Sequence, residues 1–419
     1  MARSTDAFDV VAAVDQERLW QRHMEIAKFG ATGRGGVRRL ALTEDDTNAR
    51  KAVLSWCHAQ GMSAAIDDIG NLFIRRDGLQ GDAAPVVSGS HLDTQPAGGN
   101  FDGIFGVLAA VEVLCAADDV GFQTKRPMEA VVWTNEEGAR FQPTTMGSNI
   151  FAGGIALADA LDTCDRDGIR LGDALAASLE ALGVGEKRPF RFPIHAYLEA
   201  HIEQGPVLEN AGKQIGIVTG IQGLRWFEIE VEGEEGHAGT VPMTDRKDAV
   251  AEAARMVVAL REMMVDETDT VRFNVGRFEV TPNSPNTIPG KVLFTVDFRH
   301  PEPETLKRLG DNVEATCRAQ ARACTVRVRE TIDSAPIQFD PSIRAMIDAA
   351  AARQDIPHMA LMSGATHDAK YMADLYRAGM IFVPCAQGVS HNEAESATPE
   401  DLAAGARVLA EVMIGLSNE

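Results

Sequence analysis

The chain has 419 residues and is 45% hydrophobic, so it is long enough for two or three domains with buried cores, and extended disorder is excluded. Its 61 acidic and 40 basic side chains give a net charge of −21, which makes nucleic acids and anionic membranes poor partners. The longest stretch without charged side chains, residues 141–158, contains Pro143 and several hydroxyl and amide groups, which excludes a membrane-spanning helix there.

The N-terminal segment carries four acidic side chains before its first sustained apolar run, namely Asp6, Asp9, Asp15 and Glu17. This pattern is unlike a secretory or organelle signal, so we expect a cytoplasmic protein. The six cysteines include no Cys-x-x-Cys pair, and we therefore expect reduced thiols and no disulfide framework.

Helix and strand patterns alternate through residues 1–215, which is typical of a layered α/β domain. A helix is predicted to begin at Thr43 and to end by Gly61. The next predicted elements are a hairpin at 67–73, a strand at 84–88, an apolar helix at 103–117, a strand at 129–134, helical turns over 155–192 and a strand at 195–200.

The pattern changes between residues 216 and 331. The predicted elements there are a strand around Ile229, a helix at 246–264, strands at 271–280 and 292–298, a helix at 304–322 and a strand at 325–329. This β-α-β-β-α-β order is typical of a ferredoxin-like two-layer domain, which we predict to be inserted into the first domain. The α/β pattern resumes over 332–419, with helices at 341–353 and after Pro399 and a strand at 380–384.

Polar side chains follow four of the predicted strands of the α/β domain. The positions are His91 and Asp93, Glu136 and Glu137, His201 and Glu203, and His391. Ligands of open α/β sheets bind at the carboxyl ends of strands, so these clusters are candidates to converge. Imidazoles and carboxylates without paired cysteines favour a hydrolytic site with two divalent cations.

Each cluster also has a purely structural interpretation. Asp102 precedes a predicted helix, where an N-cap is the common role of a lone aspartate. His91 alone is typical of a hydrogen-bonded core histidine, and Glu136 with Glu137 is typical of solvated loop charge. Their shared position after strands favours the metal site, but spacing alone leaves both interpretations open.

Eight sequence segments, in chain order, carry information that residue spacing alone does not. They are GSHLDTQPAGGNFDGIFGVLA (89–109), VVWTNEEGARF (131–141), EAHIEQGPVLE (199–209), GEEGHAGTVPM (233–243), SPNTIPG (284–290), DFRHPE (297–302), SGATHDA (363–369) and SHNEAE (390–395). Together they resemble the M20-type metallohydrolases, and more narrowly the hydantoinase/carbamoylase amidase branch. The resemblance covers most of the chain.

The resemblance implies a fold and a metal site. The fold is a mixed-sheet dimetal hydrolase domain with an inserted ferredoxin-like α+β domain that serves as a lid and forms a homodimer. Two divalent cations are implied, with Zn²⁺ preferred to Mn²⁺ or Co²⁺. The implied ligands are His91, Asp102 as the bridge, Glu137, His201 and His391, and the implied general base is Glu136.

The resemblance also implies a reaction and its substrate contacts. The reaction is cleavage of the ureido C–N bond of an N-carbamoyl amino or β-amino acid to the amino acid, CO₂ and NH₃. His237 is implied as the oxyanion donor, and the implied substrate contacts are Gln204, Asn286, Arg299 and, more weakly, Gly364. Thr366 stands where many relatives carry glycine, which leaves the fine fit of the substrate open.

Other functions stay open within and beyond this chemistry. The DTQP and WTNEEGARF segments slightly favour the β-ureidopropionase-like members of the family. Allantoate is the second candidate substrate, and a dipeptidase or aminoacylase activity is the third candidate. A catalytically silent binding relative is the alternative from another class, and a missing ligand or base would favour it. None of the implied ligands is missing from the sequence.

Overall fold

The chain divides into two units with separate hydrophobic cores, and its computed structural model describes residues 6–419. Residues Gly220–Ile337 form one compact unit, and the chain on either side of them forms the other. The two units meet at 219/220 and 337/338, whereas the sequence analysis predicted boundaries at 215/216 and 331/332. Residues 216–218 pair with a strand of the larger sheet, and the last strand of the inserted unit runs on to Ser334.

The first part of the larger unit contains eight helices and six strands. They are α1 Ala7–Ala12, α2 Gln16–Ile26, α3 Glu44–His58, β1 Ser63–Ile66, β2 Leu72–Arg76, β3 Val86–His91, α4 Ile104–Asp119, β4 Met128–Trp133, α5 Met146–Ala152, α6 Leu157–Leu161, α7 Leu171–Leu182, β5 Ala196–Ile202, α8 Val207–Ala211 and β6 Ile215–Ile221. Helices α1 and α2 lie where the sequence analysis predicted no element.

The inserted unit and the second part of the larger unit follow. The inserted unit contains β7 Gly223–Glu232, β8 Gly236–His237, α9 Ala249–Met264, β9 Arg272–Asn274, β10 Phe278–Thr281, β11 Thr287–Ile288, β12 Lys291–His300, α10 Pro303–Asp311, α11 Val313–Gln320 and β13 Thr325–Ser334. The chain returns through β14 Ile337–Gln338, α12 Pro341–Arg353, β15 His358–Ser363, α13 Ala369–Ala373, β16 Ala378–Val383 and α14 Pro399–Ser417.

The larger unit is built on one mixed sheet, in the order β1-β2-β4-β3-β5-β16-β6-β14, with β15 paired to β6. The neighbouring pairs among β4, β3, β5 and β16 are parallel, and those at β1, β2 and β6 are antiparallel. This confirms the mixed α/β sheet predicted from the sequence. Parallel strands end at the same edge of a sheet, so the segments after these four strands share one edge.

Helix α4 lies in the centre of the larger core. Every residue from Ile104 to Ala117 is buried, because the helix packs between the sheet and helices α2 and α14. Its one buried charge in this stretch, Glu112, accepts hydrogen bonds from Arg18 at 2.6 Å and 2.7 Å and from the Asp15 amide at 2.9 Å. These donors satisfy the hydrogen-bonding capacity of the buried carboxylate.

The inserted unit contains an antiparallel sheet in the order β10-β12-β7-β13, with β9 also on β12. Alternate side chains of β7 and β12, among them Ile229 and Phe294, are buried in the core that α9, α10 and α11 complete. The single helix predicted over 304–322 is two helices. The Asn312 side chain donates to the Arg308 carbonyl at 2.7 Å, in place of the backbone amide that would continue the helix.

The remaining sequence predictions about the chain concern thiols and membranes. All six cysteines are unpaired, as expected. Among the described residues, no helix combines the length and the apolar character that crossing a bilayer requires.

A buried histidine makes the larger core sensitive to acid. Burial lowers the pKa of His23 to about 4, although its Nδ1 bonds the Leu19 carbonyl. The unfolded chain therefore takes up this proton below about pH 6.5, while the folded chain resists it down to about pH 4. Stability from this group is present above that window and is lost as the pH falls through it.

We expect His23→Phe to flatten the fall in unfolding free energy between about pH 6.5 and pH 4, by up to a few kcal/mol. The new ring would keep the packing on Phe101 and Phe105, whose centroids lie 5.7 and 6.2 Å from that of His23. Denaturant titrations at several pH values measure the slope. His58→Phe, at an exposed position, is the control, and an unchanged slope in His23→Phe would contradict this assignment.

Candidate metal centre

Four parallel strands deliver polar side chains to one edge of the larger sheet. His91 is the last residue of β3, and His201 lies near the end of β5. Glu136 and Glu137 follow β4, and His391 follows β16. The structure brings these five side chains together, because the strands that precede them end at the same edge.

The Asp102 carboxylate lies in the middle of this cluster. Its Oδ1 is 3.2 Å from His201 Nε2 and 4.0 Å from His91 Nε2, and its Oδ2 is 3.1 Å from His391 Nε2. His391 Nε2 also lies 3.4 Å from Glu137 Oε2. Two groups suited to a cation result: His91 with Asp102 and His201, and Asp102 with Glu137 and His391. Asp102 belongs to both, as a bridging carboxylate requires.

The alternative interpretation of Asp102 as an N-cap is wrong. Helix α4 is capped at Gly103, and no side chain bonds its first turn. Gly103 has φ +72°, and a Cβ at this position would lie 2.3 Å from the His91 ring. The left-handed glycine thus turns the chain into the helix while leaving the Asp102 side chain directed at the histidines.

Two of the imidazoles are oriented by backbone carbonyls. His91 Nδ1 lies 2.8 Å from the Asp93 carbonyl, and His201 Nδ1 lies 2.8 Å from the Ile202 carbonyl. A carbonyl only accepts hydrogen bonds, so each Nδ1 carries a proton, and in the neutral ring each Nε2 keeps a lone pair. This is the arrangement of histidines that ligate metals. The Gly103 amide donates to His201 Nε2 at 3.1 Å.

Adjacent glutamates have different surroundings. Both backbone amides donate to Asp93, at 3.2 Å for Glu136 and 3.1 Å for Glu137, which fixes the turn after β4. The Glu137 carboxylate accepts from Gln95 Nε2 at 2.7 Å and faces His391, whereas Glu136 Oε2 lies 3.5 Å from His91 Nε2. The two carboxylates therefore face different imidazoles, as the proposed division into a ligand and a base requires.

The cluster is electrostatically unbalanced. Burial and the neighbouring carboxylates raise the pKa of Glu136 well above its usual range and that of Glu137 to about 8. The hydrogen bond to Asp102 raises the pKa of His391 to about 9, and at His201 the same contact outweighs the lowering effect of burial. Carboxylates at this depth are stabilised in the ionised form by a nearby cation.

The donor set fits divalent cations. Among the described residues, the ion pairs of Asp102, Glu136 and Glu137 involve histidines only, so no lysine or arginine supplies the missing positive charge. Imidazole and carboxylate donors suit Zn²⁺, Mn²⁺ and Co²⁺. The residues present therefore fit the two cations that the sequence resemblance implies.

Gln204 lies beside the bridging carboxylate. Its side-chain amide donates to Asp102 Oδ2 at 3.0 Å and to Ser390 Oγ at 3.3 Å. Its Oε1 is buried and has no hydrogen-bond partner among the described residues. Gln204, a predicted substrate contact, therefore has one acceptor atom, Oε1, that forms no hydrogen bond with the described residues.

The other predicted site residues lie on different elements. His237 and Asn286 are both exposed. His237 pairs with Thr287 in β11, and the next residue, Ala238, donates its amide to the Asn286 carbonyl at 3.0 Å. Arg299 is half-buried on β12 and bonds Asp297 at 3.1 Å. Gly364 is exposed directly after β15. The inserted unit thus carries three of these four residues, and the larger unit carries Gly364.

The sequence analysis gave no role to His367 and Glu199. Both are buried, and they form a third group with His201. The His367 ring centroid lies 4.5 Å from that of His201, and its Nε2 lies 3.0 Å from Ser363 Oγ. The position of His367 after a strand was the available signal, but β15 was not among the predicted elements.

Comparison with known proteins agrees with this geometry. The sequence profile of peptidase family M20/M25/M40 matches residues 87–414, the stretch that holds all five predicted ligands. The chain belongs to this family. The resemblance predicted from the sequence segments is therefore confirmed, and this member of the M20 family is a hydrolase of amide C–N bonds.

Several individual proteins are similar to this chain over nearly its whole length. The chain is 41% identical to an N-carbamoyl-L-amino-acid amidohydrolase from Rhizobium meliloti, over 94% of this chain and 95% of that protein. It is 34% identical to an allantoate amidohydrolase from Bacillus subtilis, over 94% and 95%. A crystal structure of a hydantoinase/carbamoylase family amidase from Burkholderia multivorans matches with a TM-score of 0.90 and 44% identity, over 97% and 98%.

We expect Glu136→Gln and Glu137→Gln to differ in metal content. Glu136→Gln should keep the divalent cations but lose most turnover, because an amide cannot accept a proton from water. Glu137→Gln should lose turnover together with part of its metal, because it removes a charged ligand. Elemental analysis and initial rates on the same samples measure both effects. Equal metal content in the two variants would show that the roles are assigned wrongly.

Proposed function

We propose that this M20 hydrolase cleaves the ureido C–N bond of N-carbamoyl amino or β-amino acids. The observation that carries the proposal is the Asp102 carboxylate shared by two ligand groups, with Glu136 beside them. The identities to an N-carbamoyl-L-amino-acid amidohydrolase and to an allantoate amidohydrolase support the substrate class, because both of those names describe amidohydrolases of ureido compounds.

The chemistry of the site follows from its residues. Two divalent cations, Zn²⁺ or otherwise Mn²⁺ or Co²⁺, would be held by His91, Asp102 and His201 and by Asp102, Glu137 and His391, and would make water acidic near neutral pH and polarise the ureido carbonyl. Glu136 accepts the proton as the water oxygen bonds to the ureido carbon. Its carboxylate lies beside the first ligand group, with Oε2 3.5 Å from His91 Nε2.

Glu136 then returns the proton to the departing nitrogen. The C–N bond to the amino acid breaks, which releases the free amino acid and carbamic acid. Carbamic acid decomposes to CO₂ and NH₃, so one water molecule is consumed and all atoms are accounted for.

The inserted unit supplies the proposed substrate contacts. We assign His237 as a donor to the oxyanion, and Asn286 beside it as a substrate contact. The Arg299 guanidinium binds the substrate carboxylate, for which its planar geometry is suited. Gln204, with its unused Oε1, and Gly364 complete the proposed contacts.

The proposal includes a homodimer assembled through the inserted unit. The exposed position of His237 in a single chain suits a residue that acts with a partner copy. The cytoplasmic location stays a prediction from the N-terminal sequence.

We expect ammonia release from N-carbamoyl-L-amino acids or N-carbamoyl-β-alanine to exceed release from allantoate. The assay compares these compounds with N-carbamoyl-D-amino acids at equal concentration. Glu136→Gln, measured in parallel, shows that the release depends on this site. Turnover of allantoate alone would move the function to the second candidate, and turnover of dipeptides alone would move it to the third.

We expect Arg299→Ala to lower kcat/KM for an N-carbamoyl amino acid far more than for its neutral amide, because only the acid leaves an unpaired carboxylate. The loss for the acid should reach up to several kcal/mol, and Arg299→Lys should lose the paired hydrogen bonds but keep the charge. Steady-state kinetics with both substrates measure the difference. Equal losses would assign Arg299 to the fold or to the dimer.

A further inference from the structure

One short segment supplies both a metal ligand and the contacts around the bridging carboxylate. Residues 390–395 contain the ligand His391 and two further polar side chains, Ser390 and Glu395. Ser390 Oγ lies 3.0 Å from Asp102 Oδ2 and 3.1 Å from Glu395 Oε2. The hydroxyl group therefore lies between two carboxylates, within hydrogen-bonding distance of both.

Two backbone amides hold the other oxygen of the Glu395 carboxylate, Oε1. Its Oε1 accepts from the amides of Phe101 at 2.8 Å and Asp102 at 3.1 Å. The side chain is 4% exposed, and a Cβ on Gly99 would lie 2.1 Å from Oε1. The carboxylate thus occupies a space shaped for it, and only Oε2 is left to face the hydroxyl group.

The Ser390 hydroxyl group can donate a hydrogen bond to only one of the two carboxylates. The Ser390 hydroxyl has one hydrogen, which it can donate either to Asp102 Oδ2 or to Glu395 Oε2. A carboxylate oxygen has about two lone-pair sites, and Gln204 Nε2 already occupies one on Asp102 Oδ2. His391 Nε2 also lies 3.1 Å from Oδ2, but a histidine that binds a cation through Nε2 has no hydrogen there to donate. If Ser390 took the second site on Oδ2, no lone pair would then remain for the cation that His391 and Glu137 would share.

We propose that Glu395 is a positioning residue that draws the Ser390 hydrogen away from Asp102 and so keeps Asp102 Oδ2 free to bind the second cation. The inference rests on the proposed metal centre. It assigns to Glu395 no contact with the cation or the substrate. Its action passes through Ser390 and through the two backbone amides that hold the loop before α4.

The substitution Glu395→Gln reverses the direction of the hydrogen bond with Ser390 and changes the shape of the side chain little. The Oε1 atom of the glutamine must still face the amides of Phe101 and Asp102, because an NH₂ group there would face two N–H donors. The new NH₂ group therefore faces Ser390 and donates to Oγ. The Ser390 hydrogen is left with Asp102 Oδ2 as its acceptor, and both lone pairs of that oxygen are then occupied.

The test is a metal titration of the full chain in four forms: wild type, Glu395→Gln, Ser390→Ala and the double variant. Metal-free protein is titrated with Co²⁺, and the visible absorption and calorimetric stoichiometry resolve the two cations. We expect Glu395→Gln to lose roughly 10- to 100-fold in affinity for one of them, the range found for residues that orient ligands, and to keep the other. Ser390→Ala should bind both, because it has no competing hydrogen.

The double variant separates positioning from general damage to the loop. If Glu395 acts through the hydroxyl hydrogen, Glu395→Gln has no further effect once Ser390 is alanine. Glu393→Gln is the matched control, since this glutamate lies in the same segment and pairs with Arg34 at 2.6 Å. We expect it to bind both cations like the wild type. Thermal melting of the metal-free forms checks that all of them fold.

Two outcomes would overturn the inference while leaving the metal centre intact. One is a Glu395→Gln protein that binds both cations with wild-type affinity. The other is an equal loss from Glu395→Gln with and without the Ser390 hydroxyl group. A wild-type chain that takes up only one cation would instead contradict the proposed two-cation centre itself, and the inference would fail with it.

Discussion

The position of one buried carboxylate, Asp102, governs the arrangement of the candidate site. Its two oxygens face different imidazoles, so the cluster divides into two ligand groups with one member in common. Such a carboxylate cannot be placed by an ordinary helix cap, which would turn it toward the first amides of α4. The left-handed Gly103 resolves this conflict, and the fully buried helix that follows holds the turn in place.

The cluster lacks a positive charge of its own that matches its carboxylates. Burial raises the free energy of every ionised group there, and the described residues supply only imidazoles in compensation. A site of this kind is costly for a folded chain unless a cation binds it. The unbalanced charge is therefore an argument for metal binding that is independent of any relative.

The predicted site residues of the two units differ in how deeply they are buried. The larger unit holds the candidate ligands and the base, and these side chains are buried except that of His391, which is exposed. In the inserted unit, His237 and Arg299 lie on antiparallel strands and Asn286 lies in the turn before β11, and all three are exposed or half-buried. Buried residues suit a metal centre, whereas accessible residues suit recognition of a substrate that must enter and leave.

The sequence by itself determined the mixed α/β fold class and the family, because strand patterns and motif segments are local properties. It also predicted the five candidate ligands and an inserted domain. The division of Asp102 between two groups, the orientation of His201 by the Ile202 carbonyl and the position of Ser390 between two carboxylates were decided only by the tertiary structure. The first and the third of these features bring Asp102 together with His201, His391 and Ser390 from distant parts of the chain. The His201 contact is local in sequence, but all three features depend on strand register and side-chain rotamers that no local pattern encodes. The elements missed by the sequence analysis include α1, α2 and β15, whose partners lie in distant parts of the chain: α1 and α2 pack against α4 and α14, and β15 pairs with β6.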